Sequence, residues 1–98
     1  MSLSSLYTEL HRAAARTGTD RSIDLRGGAR IAVRVQDGVV TLTISRKSKH
    51  IGDAELITFK RDCTVPETAV RFPLEGQRII ERDGVVWHSV SYRWREVE

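Results

Sequence analysis

Two Asp-Gly pairs, each between segments in which apolar and polar residues alternate, constrain the fold of this chain most strongly. An Asp-Gly pair tolerates the positive φ angles that a two-residue hairpin turn requires. At Asp37-Gly38 such a turn places Val35 opposite Val40 and Val33 opposite Leu42, so the apolar residues of both strands share one face. A three-residue loop would mix the two faces, and the two-residue turn is therefore preferred.

The second pair, Asp83-Gly84, separates residues 77–82 from a long return strand over residues 85–95. Alternation along this return strand places Tyr92 on one face and Trp87 on the other. A shift of the turn by one residue exchanges Ile79 with Ile80 as the partner of Trp87, and both registers stay open. In either register, large apolar side chains lie on both faces of the hairpin.

An amphipathic helix is predicted at the start of the chain. Its apolar residues follow the i, i+3, i+4, i+7 spacing of one helical face, and they are Leu3, Leu6, Tyr7, Leu10, Ala13 and Ala14. Ser2, Ser4 or Ser5 can cap its N-terminus, and Gly18 is a suitable terminating residue.

The remaining segments predict shorter elements. Strands are expected around Ile23 and Leu25, over residues 54–61 with Ile57 and Phe59 on one face, and around Val70 and Phe72. The capping-box spacing of Thr64–Glu67 predicts a single helical turn between the last two of these strands.

These elements predict an α+β fold in which the N-terminal helix packs on a mainly antiparallel, strongly twisted sheet of five to six strands built from the two Asp-Gly hairpins. Residues 1–98 are expected to form a single domain, because a chain of 98 residues has material for one core. No apolar segment approaches the roughly 20 residues needed to cross a bilayer. The chain contains one cysteine, so an internal disulfide is excluded, and a cytoplasmic location is predicted.

The leading functional hypothesis is a non-enzymatic protein-interaction module that self-associates, as a homodimer, through the C-terminal hairpin or a sheet edge. One helix can cover only one face of the sheet, so the other face of the last hairpin needs another cover. The sheet itself can supply that cover by coiling, and so can the predicted helical turn or a second molecule. The candidate interface residues are Ile80, Val85 and Trp87.

The alternative hypothesis is a nucleic-acid-binding module. The formal net charge is +3, and the candidate residues are Arg30, Arg34, Arg46, Lys47 and Lys49 on the polar face of the first hairpin and the loop after it. This hypothesis ranks second because single-strand binders usually add aromatic stacking platforms, and the polar face of this hairpin contains none.

The sequence predicts no catalytic site, no metal site and no cofactor. The histidines His11, His50 and His88 and the cysteine Cys63 match no zinc-ligand spacing. Cys63 with His88 is the one conceivable nucleophilic pair, and a small buried cysteine is the simpler interpretation. The chain is therefore not expected to be an enzyme.

Overall fold

The computed structural model describes residues 2–96, which form two helices and a six-stranded antiparallel sheet. The helices are α1 (Leu3–Thr17) and α2 (Asp53–Asp62). The strands are β1 (Arg21–Asp24), β2 (Ala29–Gln36), β3 (Val39–Lys47), β4 (Val70–Phe72), β5 (Arg78–Arg82) and β6 (Val85–Arg95), and a 3₁₀ turn (Arg26–Gly28) precedes β2. The predicted α+β fold, with an N-terminal helix and an antiparallel sheet, is confirmed.

Strand β6 lies in the interior of the sheet. The strand order is β1-β2-β3-β6-β4, and β5 also pairs with β6. Strand β3 follows one edge of β6 from the pair Lys47–Trp87 to the pair Val39–Arg95. The other edge of β6 is shared by β5 near its start and β4 near its end. This shared edge and β1 form the two margins of the sheet.

The chain reverses direction at both Asp-Gly pairs. The φ angles are 53° at Asp37, 75° at Gly38, 53° at Asp83 and 76° at Gly84, which is the left-handed region that these turns require. Val35 pairs with Val40, the register of the two-residue turn. In the second hairpin Ile80, and not Ile79, is the partner of Trp87.

Helix α1 begins and ends at residues that the sequence indicates. The side chain of Ser2 accepts a hydrogen bond from the backbone N–H of Ser5, at 3.1 Å. Gly18 adopts a φ of 69° and donates its backbone N–H to the carbonyl of Ala14. Both ends therefore satisfy backbone groups that a helix leaves without intrahelical partners.

The strand predicted over residues 54–61 is wrong, because this segment belongs to helix α2. Leu56 and Phe59 are buried and three residues apart, and Cys63 follows four residues later, so the apolar spacing is helical. Ile57, predicted to share a strand face with Phe59, is 65% exposed. The acidic first turn and basic last turn of α2 also suit the helix dipole.

The helical turn predicted at Thr64–Glu67 is absent from the described structure. The chain leaves α2 through Thr64, whose φ is 50°, and then reverses in a turn closed by a hydrogen bond from Ala69 N–H to the carbonyl of Pro66. The capping-box spacing of Thr64–Glu67 therefore comes just after the end of α2, and no further helix begins there.

Both helices pack on the same face of the sheet. Tyr7 and Ala14 of α1 and Leu56 and Phe59 of α2 join one core with alternate residues of the strands. The sheet contributes Ala29, Ile31, Val33, Val40, Leu42, Ile44, Val90 and Tyr92 to this core. No helix within residues 2–96 combines the length and the apolar character that a bilayer crossing requires.

We expect the buried thiol of Cys63 to make stability depend on pH in the alkaline range. Burial raises the pKa of Cys63 from 9.0 to about 12, so the folded state keeps a proton that the unfolded state releases first. This contribution to the free energy of unfolding is complete below pH 9.0 and falls as the pH rises toward 12, by about 1.4 kcal/mol per pH unit.

Urea denaturation at successive pH values measures this effect. Cys63→Ala is expected to lose stability less steeply across the same window, although a cavity makes it less stable at neutral pH. Burial also raises the pKa of Tyr7, so some alkaline loss is expected to remain in the variant. Parallel curves for wild type and Cys63→Ala would contradict the prediction.

Candidate functional site

The sheet face opposite to the two helices is covered by neither of them. We call it the open face, and it contains the side chains that alternate with the core residues along the strands. Its floor consists of small side chains, and its cations and aromatic rings stand around that floor. The floor residues are Ala32, Thr41, Thr43, Ser45, Ser89 and Ser91.

Depressions on the open face join into one groove. The larger, of about 610 Å³, lies among Arg34, Thr41, Phe72 and Arg93. The other, of about 330 Å³, lies between Arg30 and Trp87 on one side and the β5 arginines on the other. Ser91 lines both depressions, and its hydroxyl lies 2.9 Å from the hydroxyl of Thr43. The groove therefore has a polar floor that runs across the central strands.

Cations outnumber carboxylates on the open face. Three carboxylates lie on or beside it, Asp20, Asp24 and the turn residue Asp37. Pairing and alternation place seven cations there, and they are Arg30, Arg34, Lys47, Arg78, Arg82, Arg93 and Arg95. This face therefore carries an excess of positive charge.

Two of these arginines are held by aspartates at the β1 margin. Arg30 Nε donates to Asp24 Oδ1 at 2.6 Å, and Arg34 Nε donates to Asp20 Oδ1 at 2.6 Å. The hydrogen bond from Arg30 holds the pKa of Asp24 below its ordinary value. These two guanidinium groups are oriented but partly neutralised.

The other five cations of the open face have no such partner. Within residues 2–96, no carboxylate oxygen lies within 4.0 Å of the charged nitrogens of Lys47, Arg78, Arg82, Arg93 or Arg95. Arg78 and Arg82 lie on β5, and Arg93 lies near the end of β6. Unpaired cations therefore lie at both ends of the groove.

Trp87 serves as a platform for cations. The Arg30 guanidinium carbon lies 4.6 Å from the centroid of the Trp87 ring, and Lys47 Nζ lies 5.6 Å from it. A cation over an indole face is attracted by the negative potential of the ring. Trp87 is partly buried, and it helps to hold two cations at one end of the groove.

The predicted basic set is divided by the sheet. Arg30, Arg34 and Lys47 lie on the open face, as alternation along the hairpin indicates. Arg46 does not, because it lies on the helix side, where its Nη1 donates to Glu55 Oε2 at 2.7 Å and its side chain is only 16% exposed. Lys49 lies in the exposed loop before α2. The candidate site therefore excludes Arg46.

Sequence reasoning missed the contributions of the last two strands to this face. Arg78 and Arg82 lie four residues apart, on the same face as Ile80, and Arg93 shares the face of Trp87, so alternation was a usable signal. The pairing of β3 with β6 was not predictable, and it is this pairing that places Trp87 beside Lys47. The first hairpin itself contains no aromatic residue, as predicted, and β6 supplies the aromatic platform beside its cations.

The candidate protein-interface residues Ile80, Val85 and Trp87 meet at one end of the open face, where Ile80 pairs with Trp87. All three are partly buried. Apart from Ile57 of α2, the strongly exposed large apolar residues of the described chain are at the margin formed by β4, β5 and the segment between them. They are Val70, Phe72, Leu74 and Ile79, with Leu74 the most exposed at 77%.

The histidines and the cysteine form no reactive arrangement in the described chain. The rings of His50 and His88 lie 4.4 Å apart, and the buried Nδ1 of His88 has no hydrogen-bond partner among residues 2–96. Cys63 is fully buried, and its raised pKa keeps the thiol protonated near neutral pH. Within the same residues, no three His, Cys, Asp or Glu side chains are grouped closely enough to hold a metal ion.

We expect Trp87 and Arg30 to be energetically coupled. In a double-mutant cycle with Trp87→Leu and Arg30→Gln, the coupling energy should be about 0.5–1 kcal/mol, the usual range for an exposed cation–π pair. Urea denaturation measures it. The matched control is Trp87→Leu with Arg34→Gln, since Arg34 pairs with Asp20 and makes no contact with the indole ring. Equal coupling in the two cycles would contradict the platform role.

Comparison with known proteins assigns this chain to no family. No protein-family model matches it, and neither does any curated protein or solved structure. The charges, shape and aromatic groups of the open face are therefore the basis on which a function can be proposed.

Proposed function

We propose that this chain is a non-enzymatic binding module whose open face binds a polyanion, and that the polyanion is nucleic acid. The carrying observation is the excess of cations on one grooved face, where five cations have no carboxylate partner among residues 2–96. Such a distribution is the electrostatic footprint of a phosphate-binding surface.

The residue types on this face suit phosphate chemistry. Six of its seven cations are arginines, whose planar guanidinium can donate two parallel hydrogen bonds to one phosphate. The floor hydroxyls of Thr41, Ser45 and Ser91 add neutral donors and acceptors of the kind that contact phosphate and sugar oxygens. Asp24 and Asp20 fix Arg30 and Arg34 in place, which lowers the entropy lost when these side chains bind a ligand.

Removal of three of the unpaired arginines should weaken both binding and its salt dependence. We expect the triple variant Arg78→Gln, Arg82→Gln, Arg93→Gln to lower the slope of log K against log salt by about 2 for a single strand, since each lost phosphate contact contributes about 0.7. Fluorescence anisotropy with a labelled mixed-sequence oligonucleotide, from about 50 mM to about 200 mM salt, measures this slope.

A matched triple variant distinguishes the loss of arginines from the proposed binding face from the loss of total positive charge. Arg12→Gln, Arg16→Gln, Arg61→Gln removes the same charge from exposed positions of α1 and α2. This control should keep nearly the wild-type slope. Equal losses in the two triple variants would contradict the proposal, and so would the absence of any binding by wild type at about 50 mM salt.

Self-association is the second candidate function, and the exposed apolar margin favours it. Leu74 is 77% exposed and Ile79 is 61% exposed, both beside the free edge of β5. A free strand edge with apolar neighbours is a usual place for two chains to pair. In this function the margin formed by β4 and β5 is the interface.

Light scattering across a concentration range tests this second candidate. We expect wild type to exceed the monomer mass of 11.1 kDa at high concentration and Leu74→Ser to remain a monomer. Ile57→Ser is the control, because Ile57 is also a strongly exposed apolar residue but lies on α2. A wild-type protein that stays monomeric at every concentration would remove this candidate.

A further inference from the structure

We infer that the nucleic acid bound by the open face is single-stranded and that one of its bases stacks on Phe72. The inference rests on the polyanion function proposed above. It goes further because the same face combines cations with an accessible aromatic ring and carries neither of the two described helices.

Phe72 is the accessible ring. It lies on β4 opposite Ser91, lines the larger depression of the groove and is 65% exposed. Arg93 is the partner of Val70 two residues away and lines the same depression. A phosphate bound by Arg93 would therefore have its own or a neighbouring base within reach of the Phe72 ring.

Trp87 and Phe72 have different surroundings on the open face. Its ring already carries Arg30 and Lys47, so this end of the groove presents cations, whereas Phe72 presents a bare aromatic surface. Ser91, opposite Phe72, is four residues from Trp87 along β6, which places the two rings roughly 14 Å apart at strand spacing. The hydroxyl floor lies between them. This spacing separates one stacking position from one phosphate-binding position along the groove.

A duplex fits this face poorly. Sequence readout of a duplex most often uses a helix that enters the major groove, and both described helices lie on the opposite side of the sheet. The bases of a duplex are also stacked on one another, so none is free to lie on Phe72. The unstacked bases of a single strand are free, and aromatic side chains that follow a basic groove bind them without sequence preference.

The test compares labelled single-stranded DNA and RNA of mixed sequence with the duplex of the same sequence and length, by anisotropy at matched salt concentrations from about 50 mM to about 200 mM. We expect the single strands to bind at least about 10-fold more tightly than the duplex. We expect Phe72→Leu to lose about 10-fold in single-strand affinity, within the range for one stacked base, with an unchanged salt slope. Phe72→Tyr keeps an aromatic face and should bind like wild type.

The outcomes separate this inference from the function on which it rests. Salt-dependent binding with equal affinity for duplex and single strand, or with no loss in Phe72→Leu, overturns the single-strand inference and leaves the polyanion function standing. No binding to any of the nucleic acids at low salt overturns both, and an accompanying dimer mass in solution would assign the exposed margin to a protein contact. Circular dichroism verifies that each variant keeps the wild-type fold.

Discussion

The hydrogen-bonded pairing of β6 on both of its edges is the constraint on which the rest of the structure depends. Strand β3 occupies one edge, and β4 and β5 share the other. Because side chains alternate, this single register places Val90 and Tyr92 in the core and Ser91 and Arg93 on the open face. A slip of one residue would exchange the two sets, burying an arginine and exposing the core. Core and candidate site are thus fixed by the same hydrogen bonds.

Two neighbouring cations show how closely this register controls charge. Arg46 and Lys47 are adjacent in sequence, yet they lie on opposite sides of the sheet. Arg46 points toward α2 and is neutralised by Glu55, whereas Lys47 stands over the Trp87 ring on the open face. Arg46 on the helix side therefore helps to attach α2 to the sheet, whereas Lys47 on the open side is directed to the solvent-facing surface. The excess of cations on the open face therefore depends on strand pairing as well as on the number of arginines and lysines in the chain.

The parts of the fold that were predictable from sequence are those set by local interactions. The two Asp-Gly turns and the capped helix α1 are encoded within a few residues, and their registers and ends agree with the sequence pattern. Helix α2 was mistaken for a strand because β-branched and aromatic residues occur at Ile57, Thr58 and Phe59. Packing of Leu56 and Phe59 against the sheet outweighs that local preference.

The candidate site was predictable only in fragments, for the same reason. Trp87 and the cations of the first hairpin are evident in the sequence, but they belonged to two competing hypotheses. Contact between them depends on which strand lies beside β6, and no local pattern encodes strand order. The isolated aromatic at Phe72 likewise becomes part of the open face only because β4 pairs with β6 and places it opposite Ser91.

The position of β6 also has a consequence for how the chain reaches its folded state. The first hairpin and α1 bring together residues that are close in sequence, but the β3–β6 ladder joins positions such as Lys47 and Trp87, about 40 residues apart. Closing a loop of that length costs chain entropy before any of its contacts are gained. Domains dominated by such distant pairings fold more slowly than those built from local ones. We therefore expect the residues from α1 to the end of β3 to form structure early, and the pairing of β6 with β3 to limit the folding rate.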